Sequence, residues 1–196
     1  MTHNLNTTLA NCWQMLSRGA LDKKSPLRTP VIGTIEKDVP QLRTIVLRKT
    51  DAANRLLYFY TDIRSAKVQQ LVKNNKLTWL FYHPKKNVQI RAIGETFIHH
   101  QNDIALRNWK NIPTYGRKTY GTTQAPSTIL DAASDDLPDS WKSESISLID
   151  TEYAYANFAV VVCEIHELEW LHLQRTGHQR AKFVFNNNWM GYWVVP

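Results

Sequence analysis

The predicted fold rests on three segments, which read Arg43-Thr-Ile-Val-Leu-Arg48, Tyr58-Phe-Tyr-Thr-Asp-Ile-Arg-Ser-Ala-Lys67 and Asn87-Val-Gln-Ile-Arg-Ala-Ile-Gly94. Side chains in the first and third segments alternate between two faces, which is typical of β-strands. The second segment passes from a strand that ends at Thr61 to a helix that begins near Ser65. Short connections join these strands and favour an antiparallel meander.

The rest of the chain adds further strands and two more helices. We predict helices at residues 7–18 and 102–110, and strands at residues 31–36, 41–48, 56–61, 77–82, 88–99, 158–173, 181–185 and 189–195. The sequence has neither the glycine-rich fingerprint of a dinucleotide site nor a phosphate loop. The predicted fold class is therefore mainly β, a β-barrel with added helices.

The length of 196 residues fits one domain, and 43% hydrophobic residues suffice for a core. Residues 112–146 show little periodicity, so we interpret them as a long covering loop within a single domain that spans residues 1–196. No apolar run reaches the ~20 residues that span a bilayer, and the N-terminus does not resemble a signal peptide. Cys12 and Cys163 lie in apolar surroundings, which indicates reduced thiols in a cytoplasmic protein.

The formal net charge of +7 has two interpretations. A basic surface can turn some lysines and arginines toward a small anion. A nucleic-acid-binding protein instead needs a clustered patch. Basic residues are spread along this chain, with only short pairs such as Lys23-Lys24 and Lys85-Lys86, so the first interpretation is favoured.

Each of the three segments also has an ordinary structural explanation. Arg43 and Arg48 can lie at strand ends and reach water. Ser65 and Lys67 suit a phosphate at a helix start, where free N–H groups and partial positive charge gather, but they also fit a capped helix with a solvated lysine. Gln89 can both donate and accept at the edge of a heterocycle, or face solvent on an edge strand.

Together, the three segments resemble the pyridoxamine 5′-phosphate oxidase family and its FMN-binding split-barrel relatives. The order and spacing agree: Arg-x-x-x-Leu-Arg, then Phe-Tyr-Thr followed by Ser-x-Lys, then Gln-x-x-x-x-Gly. The likeness runs from about Arg43 to Gly94 and continues more weakly to the C-terminus. It implies a split barrel that binds FMN at the interface of a homodimer.

The resemblance also assigns contacts with the phosphate half of FMN. Arg43, Ser65 and Lys67 would hold the phosphate by charge-assisted hydrogen bonds. Tyr60 and Thr61 would flank the ribityl-phosphate.

Contacts with the flavin ring follow from the same resemblance. The backbone of Thr44, Ile45, Val46 and Leu47 would run beside the ring, and Gln89 would contact its polar edge. Arg48 would lie near the reactive side of the ring, within reach of FMN and substrate.

Near the C-terminus the family pattern is a Trp followed by Arg-Leu-His-x-Arg, and this chain has Trp170 and then Thr176-Gly-His-Gln-Arg180. The resemblance makes Trp170 and Arg180 FMN contacts and His178 a substrate contact, although His178 also fits a polar turn between strands. Thr176 replaces the arginine of the family's substrate site. A hydroxyl cannot replace a guanidinium that grips an anion, so pyridoxamine phosphate is doubtful as the substrate.

Two further departures concern the phosphate end. Ala66 stands where the family often has an arginine, and Arg64 is a candidate to compensate. Tyr115 and Arg117 lie where the family has other phosphate-binding residues, and Gln124 is a candidate flavin contact, but no register aligns them.

The resemblance predicts an FMN-dependent oxidoreductase that acts on a small molecule, with its substrate and catalytic residues unassigned. A non-catalytic flavin carrier or sensor, or a flavin reductase, is an alternative because of Thr176. A basic nucleic-acid-binding β-barrel is a further alternative. We expect no membrane partner, and no metal site, because the histidines lack ligand-like spacing with carboxylates or cysteines.

Overall fold

The computed structural model describes residues 4–141 and 146–196. These residues form two compact units. Unit 1 takes those within Met1–Phe59, Asn74–Phe97 and Val162–Pro196, and unit 2 takes those within Tyr60–Lys73 and Ile98–Val161. The single domain over residues 1–196 stays a prediction, and each unit is described by itself.

The described residues contain four α-helices, nine β-strands and several 3-10 turns. The helices are α1 (Leu5–Leu21), α2 (Ala66–Lys73), α3 (Asp103–Trp109) and α4 (Thr114–Arg117). The strands are β1 (Val31–Glu36), β2 (Val39–Thr44), β3 (Lys49–Asp51), β4 (Leu56–Asp62), β5 (Lys76–His83), β6 (Val88–His100), β7 (Phe158–His172), β8 (Gln179–Asn186) and β9 (Asn188–Val194). None of these helices is long and apolar enough to cross a membrane.

The strands form one sheet in the order β2-β1-β5-β6-β7-β4-β3, with β8 paired to β7 and β9 paired to β8. The registers of β1 with β2 and β5, of β5 with β6 and of β8 with its neighbours are all antiparallel. Lys37 and Asp38 both have positive φ, which suits the tight turn between β1 and β2. The predicted mainly β fold is therefore confirmed.

The core of unit 1 is aromatic and lies between α1 and the sheet strands. The Trp79 ring meets the Phe59 ring edge-on at 5.7 Å and stacks on the Phe81 ring at 5.9 Å. From α1, Cys12 and Leu16 are fully buried, because they recur on one face of the helix. The ring contacts join β4 to β5.

The predicted strand over residues 41–48 is wrong in its second half. β2 ends at Thr44. The N–H groups of Ile45 and Leu47 still donate to the carbonyls of Pro30 and Arg28, at 3.1 and 2.8 Å, but Pro30 has no N–H to return a bond and Arg28 ends a 3-10 turn, so no regular ladder forms.

Unit 2 has its own aromatic core. The Phe158 ring lies 5.1 Å from the Tyr120 ring and 5.3 Å from the Trp109 ring. The segment 112–146 holds more structure than its composition predicts, since α4 and two 3-10 turns occur in it and Tyr120 and Trp141 are buried. Residues 142–145 of that predicted loop lie outside the described residues.

Candidate functional site

The start of α2 gathers two hydroxyls and an ammonium group in unit 2. The Lys67 Nζ donates to Thr61 Oγ1 at 3.1 Å, and Thr61 Oγ1 lies 3.2 Å from Ser65 Oγ. Ser65 is buried and donates to the carbonyl of Asp62 at 2.8 Å. Ser65 and Lys67, two of the three residues predicted to hold the phosphate, are thus brought together with Thr61, which is predicted to flank the ribityl-phosphate. Hydroxyls beside an ammonium at a helix start form a donor set that suits a phosphate.

Arg64 points away from this cluster within the turn. It forms an ion pair with Asp62, with 2.7 Å between Nη2 and Oδ2, and donates to the carbonyl of Thr122 at 3.1 Å. The pKa of Arg64 is raised, chiefly by its hydrogen bond to Asp62. The suggested compensation for Ala66 stays a prediction, and the visible role of Arg64 is to hold the segment that begins at Thr122.

Tyr60 is fixed by its neighbours in unit 2. Its hydroxyl donates to Asn108 Oδ1 at 2.8 Å, and its ring meets the Phe158 ring edge-on at 5.1 Å. These contacts fix the end of β4 just before the group formed by Thr61, Ser65 and Lys67, which we call the Thr61 cluster. Because the hydroxyl is already engaged with Asn108, the predicted contact of Tyr60 with the ribityl chain would be made by its ring.

Arg117, a candidate phosphate ligand, is a structural residue. Only 3% of it is exposed, and its guanidinium lies 4.4 Å from the Trp109 ring centroid. It donates to the carbonyls of Ile112 and Leu148 and forms an ion pair with Glu152 at 2.5 Å. This set of partners fastens α4 to the 3-10 turn before β7.

The other two candidates of this segment are placed as follows. Tyr115 is exposed on α4. Gln124 donates from its N–H to Asp136 Oδ2 at 2.5 Å, so its backbone closes a local turn. Neither residue is brought to the Thr61 cluster by a hydrogen bond within the described part of the chain.

In unit 1, Arg43 lies on β2 and faces β1. Its Nη1 donates to the Thr34 hydroxyl and, at 2.9 Å, to the carbonyl of Gln41. Burial lowers the pKa of Arg43, and Glu36 opposes that shift. An arginine remains charged under these conditions, so Arg43 supplies a fixed cation on this hairpin.

The segment 44–48 has few backbone donors left for a ligand. Ile45 and Leu47 are committed as described above, and Arg48 N–H donates to the carbonyl of Tyr58 at 2.9 Å. Within the described residues, Val46 has no backbone partner for its N–H. If the flavin ring lies along this segment, Val46 is therefore its natural backbone donor.

Gln89 lines an open cavity of about 530 Å³ in unit 1. Thr34, Leu42, Leu80 and Arg91 share its wall, which combines apolar side chains with a few polar groups. The size and lining fit the usual range of a small-molecule site. Gln89 and Arg91 occupy one face of β6, as their spacing predicts.

Beside this cavity lies a cluster that the sequence did not reveal. Glu169 is almost buried and pairs with Arg91 at 2.8 Å and with Arg180 at 2.9 Å. The Nε atoms of both arginines are buried and have no hydrogen-bond partner in the described part of the chain. Two guanidinium groups around one carboxylate leave a net positive charge.

The remaining C-terminal candidates lie on β7, β8 and their connection. Trp170 is buried and meets the Trp193 ring edge-on at 6.3 Å, while Arg180 pairs across the ladder with Leu171. His178 and Thr176 are exposed in the turn, where His178 Nδ1 accepts from the N–H of Gln174 at 3.1 Å. The turn interpretation of His178 thus has a visible contact, and its substrate role stays a prediction.

Sequence reasoning missed Thr34, whose contact with Arg43 depends on the register of β1 with β2, and it missed the pairing of Arg91 with Glu169, which joins distant parts of the chain. The alternation of β6 places Arg91 beside Gln89, but nothing local links it to Glu169, which is 78 residues away. No three His, Cys, Asp or Glu side chains within residues 4–141 and 146–196 are arranged to hold a metal ion.

The fold is shared with solved structures over the whole chain. A pyridoxamine 5′-phosphate oxidase-related, FMN binding protein from Nostoc punctiforme has a TM-score of 0.77 at 19% identity, with 100% of both chains covered. PhzG from Burkholderia lata, in complex with tetrahydrophenazine-1-carboxylic acid, has a TM-score of 0.71 at 16% identity, with 97% of this chain and 92% of PhzG covered. No curated protein sequence matches the chain.

The family model described as pyridoxamine 5′-phosphate oxidase, FMN-binding domain matches residues 10–100. This range contains the three segments between Arg43 and Gly94 and the Thr61 cluster. The fold likeness extends beyond the range to the C-terminal strands. Residues 10–100 therefore match the FMN-binding domain of the pyridoxamine 5′-phosphate oxidase family, and the chain has the split-barrel fold of that group.

Proposed function

We propose that the protein is an FMN-dependent oxidoreductase of the pyridoxamine 5′-phosphate oxidase-like group. The observation that carries the proposal is the donor set of Thr61, Ser65 and Lys67 at the start of α2, inside a matched FMN-binding domain. Bound FMN supplies the electron transfer, by accepting a hydride equivalent from a substrate. The protein supplies binding, orientation and electrostatics.

The residues divide this work between the two halves of the cofactor. Ser65 and Lys67 bind the phosphate, and Arg43 adds charge to the same end in the proposed complex. Val46 offers its N–H to the flavin ring, and Arg48 places a cation near it. A cation beside the ring stabilises the negative charge that reduction brings.

The substrate in this proposal is a small molecule other than pyridoxamine phosphate. Thr176 occupies the turn where an anion-gripping arginine would be needed, and a hydroxyl forms no bidentate contact. PhzG, which shares the fold, was solved in complex with tetrahydrophenazine-1-carboxylic acid, so the fold accommodates that compound in one protein. We leave the substrate of this chain unassigned.

A homodimer with FMN at its interface is part of the proposal. The wall of the 530 Å³ cavity continues into an exposed apolar surface on β1, β2 and β5, where Leu42 is 71% and Leu80 38% exposed. Apolar side chains that remain exposed together on a sheet favour a protein partner. A second copy of the chain would cover them. Two free, buried thiols also suit a reducing compartment such as the cytoplasm.

The test is anaerobic mixing of the FMN-loaded protein with NADH, NADPH and pyridoxamine phosphate in separate reactions. An oxidoreductase predicts rapid bleaching of the flavin absorption by a donor, and we expect pyridoxamine phosphate to be ineffective. Bleaching by a reduced nicotinamide alone would favour the alternative of a flavin reductase. If FMN binds but no donor reduces it faster than free FMN, a flavin carrier or sensor is favoured. Thr176, which stands where the family has a substrate-binding arginine, motivates this alternative.

A further inference from the structure

Lysines from both short basic pairs of the sequence line one cavity in unit 1. Lys24 follows the end of α1, and Lys85 and Lys86 form the turn between β5 and β6. All three line a cavity of about 360 Å³ together with Arg18 and His83. We call this the basic cavity. We propose that it is a second binding site, for a small molecule that carries phosphate groups.

The size of the basic cavity suits a small ligand. Ligand sites usually measure about 300–1,000 Å³, and this one lies within the range. Met15, Pro26, Leu27 and Pro84 supply the apolar part of the lining, beside the charged side chains. A compact organic phosphate can place its carbon skeleton against the wall and its anionic group among the cations.

The charge of the lining strongly favours an anion. Four permanent cations face the basic cavity, and Asp22 is the one carboxylate among its lining residues. Asp22 is already engaged, since its carboxylate lies 3.7 Å from Arg18 Nε and accepts from the N–H of Lys24 at 2.9 Å. Within the described residues, no carboxylate forms an ion pair with Lys24, Lys85 or Lys86. Their charge is therefore available to a ligand.

The end of α1 does not cancel this charge. The last carbonyls of a helix carry partial negative charge, which would repel an anion. Here Arg28 Nη1 donates to the carbonyl of Ala20 at 2.9 Å, and Asp22 N–H donates to the carbonyl of Arg18 at 2.8 Å. The helix end is thus capped by its own chain, and a separate arginine neutralises it.

His83 supplies a second, independent indication. Its Nδ1 is buried and has no hydrogen-bond partner within the described residues. Buried polar atoms are normally satisfied, so this nitrogen needs a partner that the described residues do not supply, and a turn of the ring would present it to a ligand in the basic cavity. An imidazole nitrogen can donate to a phosphate oxygen or accept from a hydroxyl.

A small molecule fits the basic cavity better than a nucleic acid. Proteins that track a nucleic-acid strand combine a basic groove with aromatic side chains on which bases stack. Apart from His83, the lining contains no ring suited to stacking. None of the lining residues is a predicted FMN contact, so the proposal stands independently of the proposed function.

The test uses inorganic pyrophosphate as the probe, with calorimetric titration of the full-length protein at low salt in the presence of saturating FMN. The variant is Lys85→Gln with Lys86→Gln, and the control is Lys37→Gln with Lys110→Gln, which removes the same charge at exposed positions outside the basic cavity. We expect one pyrophosphate per chain, a dissociation constant raised at least about tenfold in the variant, and a change within about twofold in the control. FMN binding should be equal in all three proteins.

Several results would overturn the proposal. If the wild type does not bind pyrophosphate, or if binding weakens equally in the variant and the control, the basic cavity is not a specific site. The cations would then contribute only to the general surface charge. Stoichiometric release of bound FMN by pyrophosphate would assign the probe to the flavin site. Tighter binding of a single-stranded RNA oligonucleotide, lost in the same variant, would assign the cations to nucleic acid instead.

Discussion

Replacing Gly94 with alanine should strongly destabilise the protein. Gly94 lies on β6 where that strand approaches β7. A Cβ at this position would lie 2.0 Å from the carbonyl oxygen of Glu164, 2.7 Å from its carbonyl carbon and 3.0 Å from Cys163 Sγ. The first two atoms belong to backbone, so no side-chain rotation can relieve the contact. This close approach explains why the motif that begins at Gln89 ends in glycine.

The magnitude follows from the displacement that the methyl group demands. Carbon and oxygen atoms in contact are normally separated by about 3.5 Å, so β6 and β7 would have to part by more than about 1 Å. Extra methyl groups in a packed core cost about 1–3 kcal/mol when side chains can adjust. Because backbone opposes backbone here, we expect the upper end, about 3 kcal/mol or more. For a chain of this size, that lowers Tm by roughly 6–12 °C.

The assay is urea unfolding followed by tryptophan fluorescence, since Trp79 is buried in the same unit. Gly33→Ala on β1 is the matched control, because its Cβ would meet only the Leu42 Cδ2 methyl, at 3.2 Å. We expect the control to unfold within about 1 kcal/mol of the wild type. A Gly94→Ala protein as stable as the Gly33→Ala protein, with the same m-value, would refute the close approach of β6 to β7.

Three further outcomes are expected. Lys67→Met should raise the FMN dissociation constant at least about tenfold in a fluorescence titration, because the phosphate loses a charged donor, whereas Lys73→Met at the other end of α2 should change it less than about twofold. Arg117→Met should lower the free energy of unfolding by about 2–4 kcal/mol, because it leaves buried carbonyls unsatisfied. In unfolding measurements at several pH values, the variant should also lose less stability than the wild type as the pH falls. Burial acts to raise the pKa of Glu152, but hydrogen bonds from Arg117 and Trp109 outweigh it and lower the pKa. The stabilisation by the ionised Glu152 is therefore present above about pH 4.3 and is lost as the pH falls through the pKa of Glu152 in the folded protein. The two cysteine thiols, whose pKa burial raises to about 12, should react with a disulfide reagent at pH 8 only after unfolding, and reaction of the native protein would contradict their packing.

Local patterns predicted much of the fold. The strand over residues 31–36 matches β1, and the terminal hairpin matches β8 and β9, with Asn187 at a φ of 61° in its turn. These elements depend on alternation and on turn residues, which neighbouring positions reveal. The predicted strand over residues 41–48 ends early because Ile45 and Leu47 lie opposite Pro30 and Arg28, which cannot continue the ladder. Residues more than ten positions away thus decide where β2 ends.

At the candidate site, too, local groupings of residues could be predicted from the sequence and long-range pairings could not. Thr61, Ser65 and Lys67 lie within seven residues of one another, so a sequence motif could identify the cluster, and the structure brings them together. Glu169 could not be predicted, since its role arises from arginines on two other strands. For Arg117 the sequence suggested a role that the structure does not show. Its position suggested a phosphate ligand, but its guanidinium is buried and lies over the Trp109 ring.

The most direct test of the central claim compares FMN with riboflavin, which lacks only the phosphate. Each flavin is titrated into the purified protein and binding is followed by quenching of flavin fluorescence. If Ser65 and Lys67 hold the phosphate, FMN should bind at least about a hundredfold more tightly than riboflavin, because two or more charge-assisted hydrogen bonds are at stake. Equal affinity for both flavins, or no binding of FMN, would contradict the account.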